Sequence, residues 1–253
     1  MIHKAKKSLG QNFLINPKVA GRIALEADIS KGDTVLEIGP GTGNLTKHLL
    51  LRAKKVIAIE KDENLADELA NKFKTEIENG KLELKKTDIL LLDVIHPKTY
   101  KIVANIPYNI TGAILKKFLS EKNKPKSMTL MVQKEVAERI IARDGKESLL
   151  SISVKIYGRP EIVFKVSRGN FYPIPNVDSA VITIKNISRK NFEKSEVNEE
   201  KFWEIVKAGF AHKRKKLSSN LKNVISCQRS SLANLGNKRA EDLSLADWLL
   251  LAK

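Results

Sequence analysis

A glycine-rich turn between a short strand and a helix is the sequence feature that most constrains how this chain can fold. Residues 34–38 (TVLEI) have the aliphatic, β-branched composition of a buried strand, and residues 39–43 (GPGTG) follow at once. A helical pattern then occupies residues 44–51. Three glycines in five residues let the backbone bend sharply and approach a ligand closely, because no Cβ atom intervenes. The order of strand, glycine turn and helix therefore predicts a nucleotide site in an α/β sheet.

The acid at the end of the next strand indicates which kind of ligand the turn would hold. The spacing G-x-G-x-G differs from the G-x-G-x-x-G of dinucleotide sites, and no Lys-Ser/Thr pair makes the turn a phosphate loop. Both differences argue against NAD and ATP. The predicted strand 56–60 ends in Glu60, whose carboxylate is placed to bind both hydroxyls of a ribose. Gly39 and Gly41, taken with this acid and Glu37, form a more specific signal than any one of them.

Short apolar strands continue to alternate with helical patterns through the first half of the chain. Further predicted strands are residues 82–84, 101–104 and 128–132, and the predicted helices are residues 17–27, 63–73, 111–119 and 135–143. Three later strand-like segments follow at 151–157, 162–166 and 180–184. Such late strands often close a doubly wound sheet with an antiparallel edge, so the pattern predicts an α/β fold.

The tetrapeptide Asn105-Ile106-Pro107-Tyr108 follows the predicted strand 101–104, at the sheet edge where open α/β folds bind ligands. These residues suit methylation of an exocyclic adenine amine, whose lone pair is delocalised into the ring. The Asn105 side-chain oxygen and the backbone carbonyl of Ile106 can accept from the amine hydrogens and draw the lone pair back to nitrogen. Pro107 stiffens the turn, and Tyr108 offers a ring face to the base. Alone, the tetrapeptide also fits an ordinary Asn-Pro turn; its placement favours the active-site interpretation.

Three further residues have two interpretations each. Asp88, in the loop after strand 82–84, could accept from an adenine amine or could cap a turn, and its spacing leaves both open. Phe171 and Tyr172 lie in a proline-rich turn, where either ring could stack on an extruded base. Aromatic residues before proline also serve turn packing.

Charge and composition indicate a polyanionic partner. Lys and Arg total 46 against 29 Asp and Glu, a formal net charge of +17. Residues 186–200 are polar and predict a linker, after which helical patterns occupy residues 202–211, 217–227, 230–235 and 244–252. The predicted domains are therefore residues 1–187 and a small all-helical domain, 188–253. The helical domain holds four consecutive basic residues, for which RNA phosphate contact is favoured over a solvated face: Lys213, Arg214, Lys215 and Lys216.

Several classes of site are excluded by residue counts and spacing. A single cysteine, Cys227, rules out an internal disulfide and a cysteine-cluster zinc site, and the four histidines show no metal-ligand spacing. We therefore expect no metal. No apolar run approaches the ~18 residues of a membrane span. The first residues lack the apolar region of a secretory signal, so a cytoplasmic location without membrane attachment is expected.

The chain as a whole resembles the ribosomal RNA adenine dimethyltransferases, and among them the small-subunit enzymes that dimethylate two adjacent adenosines in the 3′-terminal hairpin of 16S rRNA. The motifs that carry the resemblance are Gln11-Asn12-Phe13-Leu14, residues 37–43, Glu60, Asp88, residues 105–110, residues 171–181 and residues 210–221. The resemblance implies a Rossmann-like class I S-adenosylmethionine-dependent methyltransferase, a monomer that acts on 16S rRNA within the immature 30S subunit. It implies that the cofactor touches Asn12, Leu14, Gly39, Glu60, Asp88 and Asn105. Glu60 would bind its ribose and Asp88 its adenine; Gly41, in the glycine turn, is expected to contact it as well.

Two alternatives remain beside this function. The sister family, which methylates 23S rRNA and gives macrolide resistance, shares Ile106 at a position where small-subunit enzymes more often have Leu. Three other segments favour the small-subunit family: residues 44–46, residues 177–180 and the Lys-Arg-Lys stretch before Leu217. The other alternative is an RNA-binding assembly factor whose presence on the immature subunit matters more than its methylation. A DNA adenine methyltransferase is disfavoured by the extent of the resemblance.

Overall fold

The computed structural model describes residues 5–6, 9–92, 97–224 and 234–253. Its strands are β1 (Phe13–Leu14), β2 (Thr34–Ile38), β3 (Lys55–Glu60), β4 (Leu82–Lys86), β5 (Lys101–Asn105), β6 (Met128–Gln133), β7 (Arg159–Val166), β8 (Phe171–Tyr172) and β9 (Ser179–Lys185). Its α-helices are α1 (Pro17–Glu26), α2 (Thr46–Leu50), α3 (Glu63–Lys72), α4 (Lys74–Glu78), α5 (Thr111–Ser120), α6 (Lys134–Ile141), α7 (Leu149–Lys155), α8 (Lys190–Ser195), α9 (Glu199–Gly209), α10 (Leu217–Leu221) and α11 (Leu245–Leu251).

Seven strands form one mostly parallel sheet in the order β4-β3-β2-β5-β6-β9-β7. The strands from β4 to β6 pair in parallel, and β9 adds to β6 antiparallel. Their burial explains their composition, because a parallel strand covered on both faces is apolar along nearly its whole length, as β2 and β3 are. The order reverses on the two sides of β2, so a crevice opens between the carboxyl ends of β2 and β5. The predicted α/β fold is confirmed.

The chain divides into two compact units. The first contains residues 1–137 and 161–187, and the second contains residues 138–160 and 188–253. Residues 138–160, which the sequence prediction placed in the first domain, therefore group with the C-terminal residues. The reason is local packing: the Tyr157 ring lies 5.8 Å from that of Phe192 and 6.4 Å from that of Trp203, and the Asn191 amide donates to the Ile156 carbonyl at 2.7 Å.

Two secondary-structure predictions were wrong, both in the second unit. Residues 151–157 were predicted as a strand, but Leu149–Lys155 is helical. A reciprocal capping box between Ser148 and Ser151 starts this helix, and its effect outweighs the strand-like alternation of the sequence. The predicted linker 186–200 contains the helix Lys190–Ser195 and the start of α9. Phe192, the one large apolar side chain of the helix Lys190–Ser195, packs edge-on against Phe202 at 5.3 Å.

The C-terminal helices of the second unit pack around Trp248, which is fully buried. Its ring stacks on Phe210 at 5.3 Å, and α9 approaches it closely at Gly209, where a Cβ atom would lie 2.4 Å from the indole. Of the predicted helix 217–227, residues 217–221 are helical, and residues 225–227 lie outside the described residues, as does most of the predicted helix 230–235. Across the described ranges, no helix has the length and apolar character needed to cross a membrane.

Candidate active site

A cavity in the first unit lies at the carboxyl ends of the parallel strands. Almost all the residues predicted to form the site line it: Asn12, Leu14, Gly39, Gly41, Glu60, Asp88, Asn105, Ile106, Pro107 and Tyr108. They come from the N-terminal segment and from the residues at or just after the ends of β2, β3, β4 and β5. The parallel sheet brings them together because its strands all end at the same edge. Their individual roles stay predictions.

The glycine turn is shaped by positive φ angles and close packing. Gly41 has a φ of +58°, and a Cβ atom there would lie 3.2 Å from the ring of Phe13. Gly43 has a φ of +77°, and its Cβ would lie 2.6 Å from the ring of Phe73, too close for any side chain. Both positions therefore require glycine for conformation and for space.

Glu60 is held at the end of β3 by backbone donors. Its two carboxylate oxygens accept from the amides of Gly41 (3.1 Å) and Asp62 (2.9 Å). Burial raises the pKa of Glu60 above its ordinary value, although these N–H groups act in the opposite direction. The carboxylate is thus oriented before any ligand arrives, and its remaining acceptor sites can serve a ribose diol.

Asp88 lines the cavity and also caps a turn. One oxygen accepts from the Leu90 amide at 2.9 Å, and the other accepts from the Lys61 ammonium at 2.8 Å. The hydrogen bond from Lys61 is the main reason that the pKa of Asp88 lies below its ordinary value. Asp88 therefore does cap a turn. Its cofactor-binding role remains a prediction, which would require an adenine amine to share the carboxylate with Lys61 or to displace Lys61 from it.

Asn105 stands at the end of β5, with its side-chain nitrogen donating to the Asn12 carbonyl at 3.3 Å. With the nitrogen engaged in this way, the side-chain oxygen is the atom available to a substrate amine. Ile106 is buried, and its amide donates to the Met131 carbonyl at 3.4 Å. Pro107, with a φ of −54°, leads into a 3₁₀ turn over Tyr108–Ile110. The tetrapeptide backbone is therefore supported by the sheet on one side and by proline on the other.

Tyr108 is positioned by a hydrogen bond that the sequence did not indicate. Its hydroxyl lies 2.7 Å from the hydroxyl of Ser179, which is fully buried at the start of β9. Burial raises the pKa of Tyr108, so its hydroxyl stays protonated at neutral pH. The ring is thus fixed at both ends, by the tetrapeptide backbone and by Ser179.

Phe171 lies apart from the other predicted residues. It is 1% exposed, belongs to the hydrophobic core with Leu14, and is not among the described residues that line the cavity. In this structure its ring face is not open to a base, whereas the neighbouring Tyr172 is 45% exposed. The assignment of Phe171 to base stacking stays a prediction that would require the ring to move.

A polar cluster that the sequence did not reveal holds the N-terminal segment. The Asp62 carboxylate accepts from the Lys6 ammonium at 2.8 Å and from the Gln11 amide at 2.9 Å. Because the Asp62 amide also donates to Glu60, this cluster joins the segment beside Asn12 to the predicted ribose acceptor. Gln11 was part of a recognised motif, but a partner 51 positions away leaves no signal in a single sequence.

Glu37 is the most perturbed acid of the cavity. Burial, together with the negative charge of Glu60, raises the pKa of Glu37 from near 4.5 to about 8, and its Oε2 has no hydrogen-bond partner within the described residues. The neutral acid is therefore favoured at neutral pH, and Oε2 is a polar atom that a ligand in the cavity can engage. The sequence analysis included Glu37 in the site signal, but the raised pKa depends on its burial and could not be predicted from the sequence.

This pKa predicts how stability depends on pH. The folded-state pKa of Glu37 is raised, so the unfolded chain releases this proton near pH 4.5 and the folded chain only near pH 8. Its contribution to stability is therefore full below pH ~4.5 and is lost progressively up to pH ~8. Glu37→Gln should remove this loss. Relative to wild type, the free energy of unfolding of the variant should therefore rise by a few kcal/mol at most on going from pH ~5 to pH ~9. Urea unfolding at both pH values measures the difference, and parallel pH profiles would contradict the assignment.

The basic cluster predicted from the sequence lies in the second unit. All four of its side chains are exposed, in the turn between α9 and α10: Lys213, Arg214, Lys215 and Lys216. Two more exposed basic residues stand close to it, because the amide of Leu217 donates to the Lys238 carbonyl at 2.8 Å and Arg239 follows directly. The cluster is therefore part of a wider basic surface of this unit.

Four features together define a Rossmann-like methyltransferase: the sheet order, the glycine turn, the acid at the end of β3 and the polar tetrapeptide after β5. The methyl donor of this class is S-adenosylmethionine. The family model described as "Ribosomal RNA adenine dimethylase" matches residues 2–253. This chain belongs to the ribosomal RNA adenine dimethylase family.

Individual relatives agree with this placement. "Ribosomal RNA small subunit methyltransferase A" of Dehalococcoides mccartyi (strain CBDB1) is 42% identical, over 97% of this chain and 86% of the relative. A solved dimethyladenosine transferase from Plasmodium falciparum is 30% identical with a TM-score of 0.80, over 94% of this chain and 95% of that one. The 23S rRNA methyltransferase ErmE is 28% identical with a TM-score of 0.75, over 95% and 98% of the two chains.

Proposed function

We propose that this protein transfers methyl groups from S-adenosylmethionine to N6 of two adjacent adenosines in the 3′-terminal hairpin of 16S rRNA, twice per base, on the immature small subunit. The observation that carries the proposal is the position of Asn105-Ile106-Pro107-Tyr108, which faces the same cavity as Glu60. The proposal includes action as a monomer in the cytoplasm, where its ribosomal substrate is assembled.

The residues of the cavity fit the cofactor. Glu60 presents an oriented carboxylate to a ribose, and Asp88 offers an acceptor to an adenine amine. Glu37 offers a carboxyl oxygen that has no partner within the described residues to a polar group of the cofactor. The ε-ammonium of Lys61 would have to yield part of its contact with Asp88. When bound, S-adenosylmethionine supplies an electrophilic methyl group on a sulfonium.

The chain's own residues prepare the nucleophile. The Asn105 oxygen and the Ile106 carbonyl accept from the two amine hydrogens, which moves the nitrogen lone pair out of conjugation and toward the methyl group. No ionised base is needed, because the nitrogen becomes strongly acidic after methyl transfer and then loses its proton. Tyr108, held by Ser179, offers its ring to the adenine face.

Small-subunit RNA is favoured over 23S rRNA as the substrate. The relative at 42% identity carries a small-subunit name, whereas ErmE is 28% identical. Ile106 is the feature shared with the 23S enzymes, and it is 1% exposed, so its side chain is buried and does not meet an RNA substrate directly. A role in assembly through RNA binding is compatible with the exposed basic cluster and with retained catalysis.

The deciding experiment maps N6,N6-dimethyladenosine in rRNA after treatment of unmethylated 30S and 50S particles with the protein and S-adenosylmethionine. Dimethylation of two neighbouring adenosines near the 3′ end of 16S rRNA is expected. Modification of 23S rRNA alone would establish the alternative substrate, and binding to 30S particles without methyl transfer would establish the assembly role.

The hydroxyl of Tyr108 is expected to position the ring and not to take part in methyl transfer. Tyr108→Phe and Ser179→Ala should each slow single-turnover methylation of 30S particles by a few-fold, in line with about 1 kcal/mol for a net hydrogen bond. Tyr108→Ala should lose more, because the ring face disappears. The two mild substitutions should be non-additive in a double-mutant cycle; additive effects would show that the hydroxyls act independently.

The basic cluster is expected to bind RNA phosphates. Replacing Lys213, Arg214, Lys215 and Lys216 with Gln should flatten the dependence of 30S affinity on salt by about 0.7–0.9 logarithmic units for each phosphate that the variant no longer neutralises. The control variant replaces four exposed lysines elsewhere with Gln: Lys54, Lys116, Lys122 and Lys126. It removes the same charge and should leave the slope nearly unchanged. Equal salt dependence of 30S affinity for the two variants would show that the cluster is ordinary solvated surface.

A further inference from the structure

Three large apolar side chains are exposed at or just after the ends of β1 and β8, the two-stranded sheet beside the cavity. Ile15 is 52% exposed, Tyr172 45% and Ile174 65%. Ile15 follows β1 and Tyr172 ends β8, which pairs with β1 antiparallel, and the Ile15 amide donates to the Asn170 carbonyl at 2.9 Å. We call these three residues the rim platform. An exposed apolar group at the edge of a ligand cavity marks an interaction site more often than an isolated exposed residue does.

The register of the two-stranded sheet decides which ring of β8 is buried and which is exposed. Phe13 pairs with Tyr172, and Leu14 pairs with Phe171. Directly opposite residues share one face of the sheet, so Tyr172 lies on the face of Phe13. Phe13 and Leu14 both line the cavity, so β8 lies against the strand that borders it. Phe171 lies on the other face, in the core. Tyr172 is therefore opposite a residue that lines the cavity and is itself open to solvent.

The platform is held rigidly. The side-chain amide of Asn16 donates to the side-chain oxygen of Asn170 at 2.8 Å. The side-chain amide of Asn44 donates to the Leu14 carbonyl at 2.8 Å and so connects β1 to the residue that follows the glycine turn. The loop that carries Ile174 is fixed by the Arg168 amide, which donates to the Asp178 carboxylate at 3.0 Å. A ring on a backbone held in this way can stack on a ligand with little additional ordering of the chain.

A nucleobase is the occupant that fits these features. The exposed aromatic ring of Tyr172 suits stacking, which tolerates any base because every base has a π face. The exposed guanidinium of Arg168, close in sequence before β8, can reach a phosphate of the same strand. A base that must enter the cavity is unstacked from its neighbour, and that neighbour then has an unpaired face of its own.

We propose that the rim platform stacks, through Tyr172, on the base that adjoins the target adenosine in the RNA while the target base occupies the cavity. The inference rests on the proposed function. For a substrate of two adjacent adenosines, the platform holds one adenine while the other is methylated. Tyr172 is thus a substrate-positioning residue outside the catalytic tetrapeptide.

The test combines a protein substitution with a base deletion. Wild type, Tyr172→Ala and Tyr172→Phe are assayed for methylation of reconstituted 30S particles that carry either the natural adenosine or an abasic nucleotide beside the target. Tyr172→Ala should raise the half-saturating 30S concentration by about 5–100-fold, the worth of one stacked base, with little change in the rate at saturation. Tyr172→Phe should behave as wild type, because stacking uses the ring face. Leu25→Ala, which truncates an apolar residue that is 65% exposed on α1, is the matched control.

Comparing the abasic particle with the natural one distinguishes stacking on the neighbouring base from a structural role of Tyr172, because a structural role would not depend on whether that base is present. The abasic nucleotide should weaken binding of wild type but not weaken binding of Tyr172→Ala any further. Additive effects of the two changes would overturn the inference, as would equal loss in Tyr172→Phe and Tyr172→Ala. Unaltered thermal unfolding and cofactor affinity of Tyr172→Ala exclude misfolding. Absence of any methylation by wild type would instead refute the proposed function, so the two failures are distinguishable.

Discussion

Asn105→Ala is expected to slow methyl transfer by about 10²–10³-fold at saturating cofactor while 30S binding stays nearly intact. The Asn105 oxygen is needed where the substrate nitrogen rehybridises, and a preorganised acceptor at a reacting centre acts mostly in the transition state. The structure strengthens this expectation, because the side-chain nitrogen already donates to the Asn12 carbonyl and the oxygen is left for the substrate. Single-turnover methylation of 30S particles measures the rate.

The same hydrogen bond requires a control for the cofactor. Removing the hydrogen bond to Asn12 can loosen the N-terminal segment beside the cavity, so cofactor affinity is to be measured for the variant and the rate taken at saturation. Asn71→Ala, at an exposed position of α3, controls for removal of an amide side chain. A near wild-type rate for Asn105→Ala would mean that the tetrapeptide is an ordinary turn.

Glu60→Ala is expected to weaken S-adenosylmethionine binding by roughly 1.5–3 kcal/mol, about 10- to 150-fold in Kd, the usual worth of hydrogen bonds to a charged group. Calorimetric titration with the cofactor measures this change. The structure adds a second effect: without the carboxylate, the amides of Gly41 and Asp62 lose their acceptor, so the stability of the free protein should fall as well.

Two further variants separate these effects. Glu60→Gln keeps one acceptor oxygen and should be more stable than Glu60→Ala. It should still bind the cofactor less tightly than wild type, because its NH2 group places a donor where a backbone N–H or a ribose hydroxyl needs an acceptor. Glu63→Ala removes a nearby exposed acid and should leave affinity unchanged. Unchanged affinity in both Glu60 variants would refute the assignment of Glu60 to the ribose.

Much of the site could be predicted because it depends on where strands end. A strand followed by glycines, by an acid or by Asn-Ile-Pro-Tyr places those residues at one sheet edge, whatever the remaining contacts are. The contacts that orient them could not be predicted. Ser179 lies 71 positions from Tyr108, and Asp62 lies 51 positions from Gln11. Neither pairing leaves a periodic pattern in one sequence.

The errors in the fold have a similar cause. The helix Leu149–Lys155 alternates apolar and polar residues as a strand would, and the capping box and the packing of Tyr157 on Phe192 and Trp203 decide its state. The polar segment around Phe192 becomes a helix because that single ring is buried. Local composition was a poor guide wherever one or two long-range contacts supplied most of the stabilisation.

The sequence by itself determined the α/β order, the glycine turn, the strand-end acids and the basic character of the chain, because each is a local property of neighbouring residues. Only the tertiary structure decided which side chains are buried in the core and which stay exposed beside the cavity. The clearest case is the pairing of β1 with β8, where a shift of one residue exchanges the two faces of the sheet. That register places Phe171 in the core and Tyr172 at the rim, and it is set by hydrogen bonds and packing between segments as far apart in sequence as Asn16 and Asn170, 154 positions.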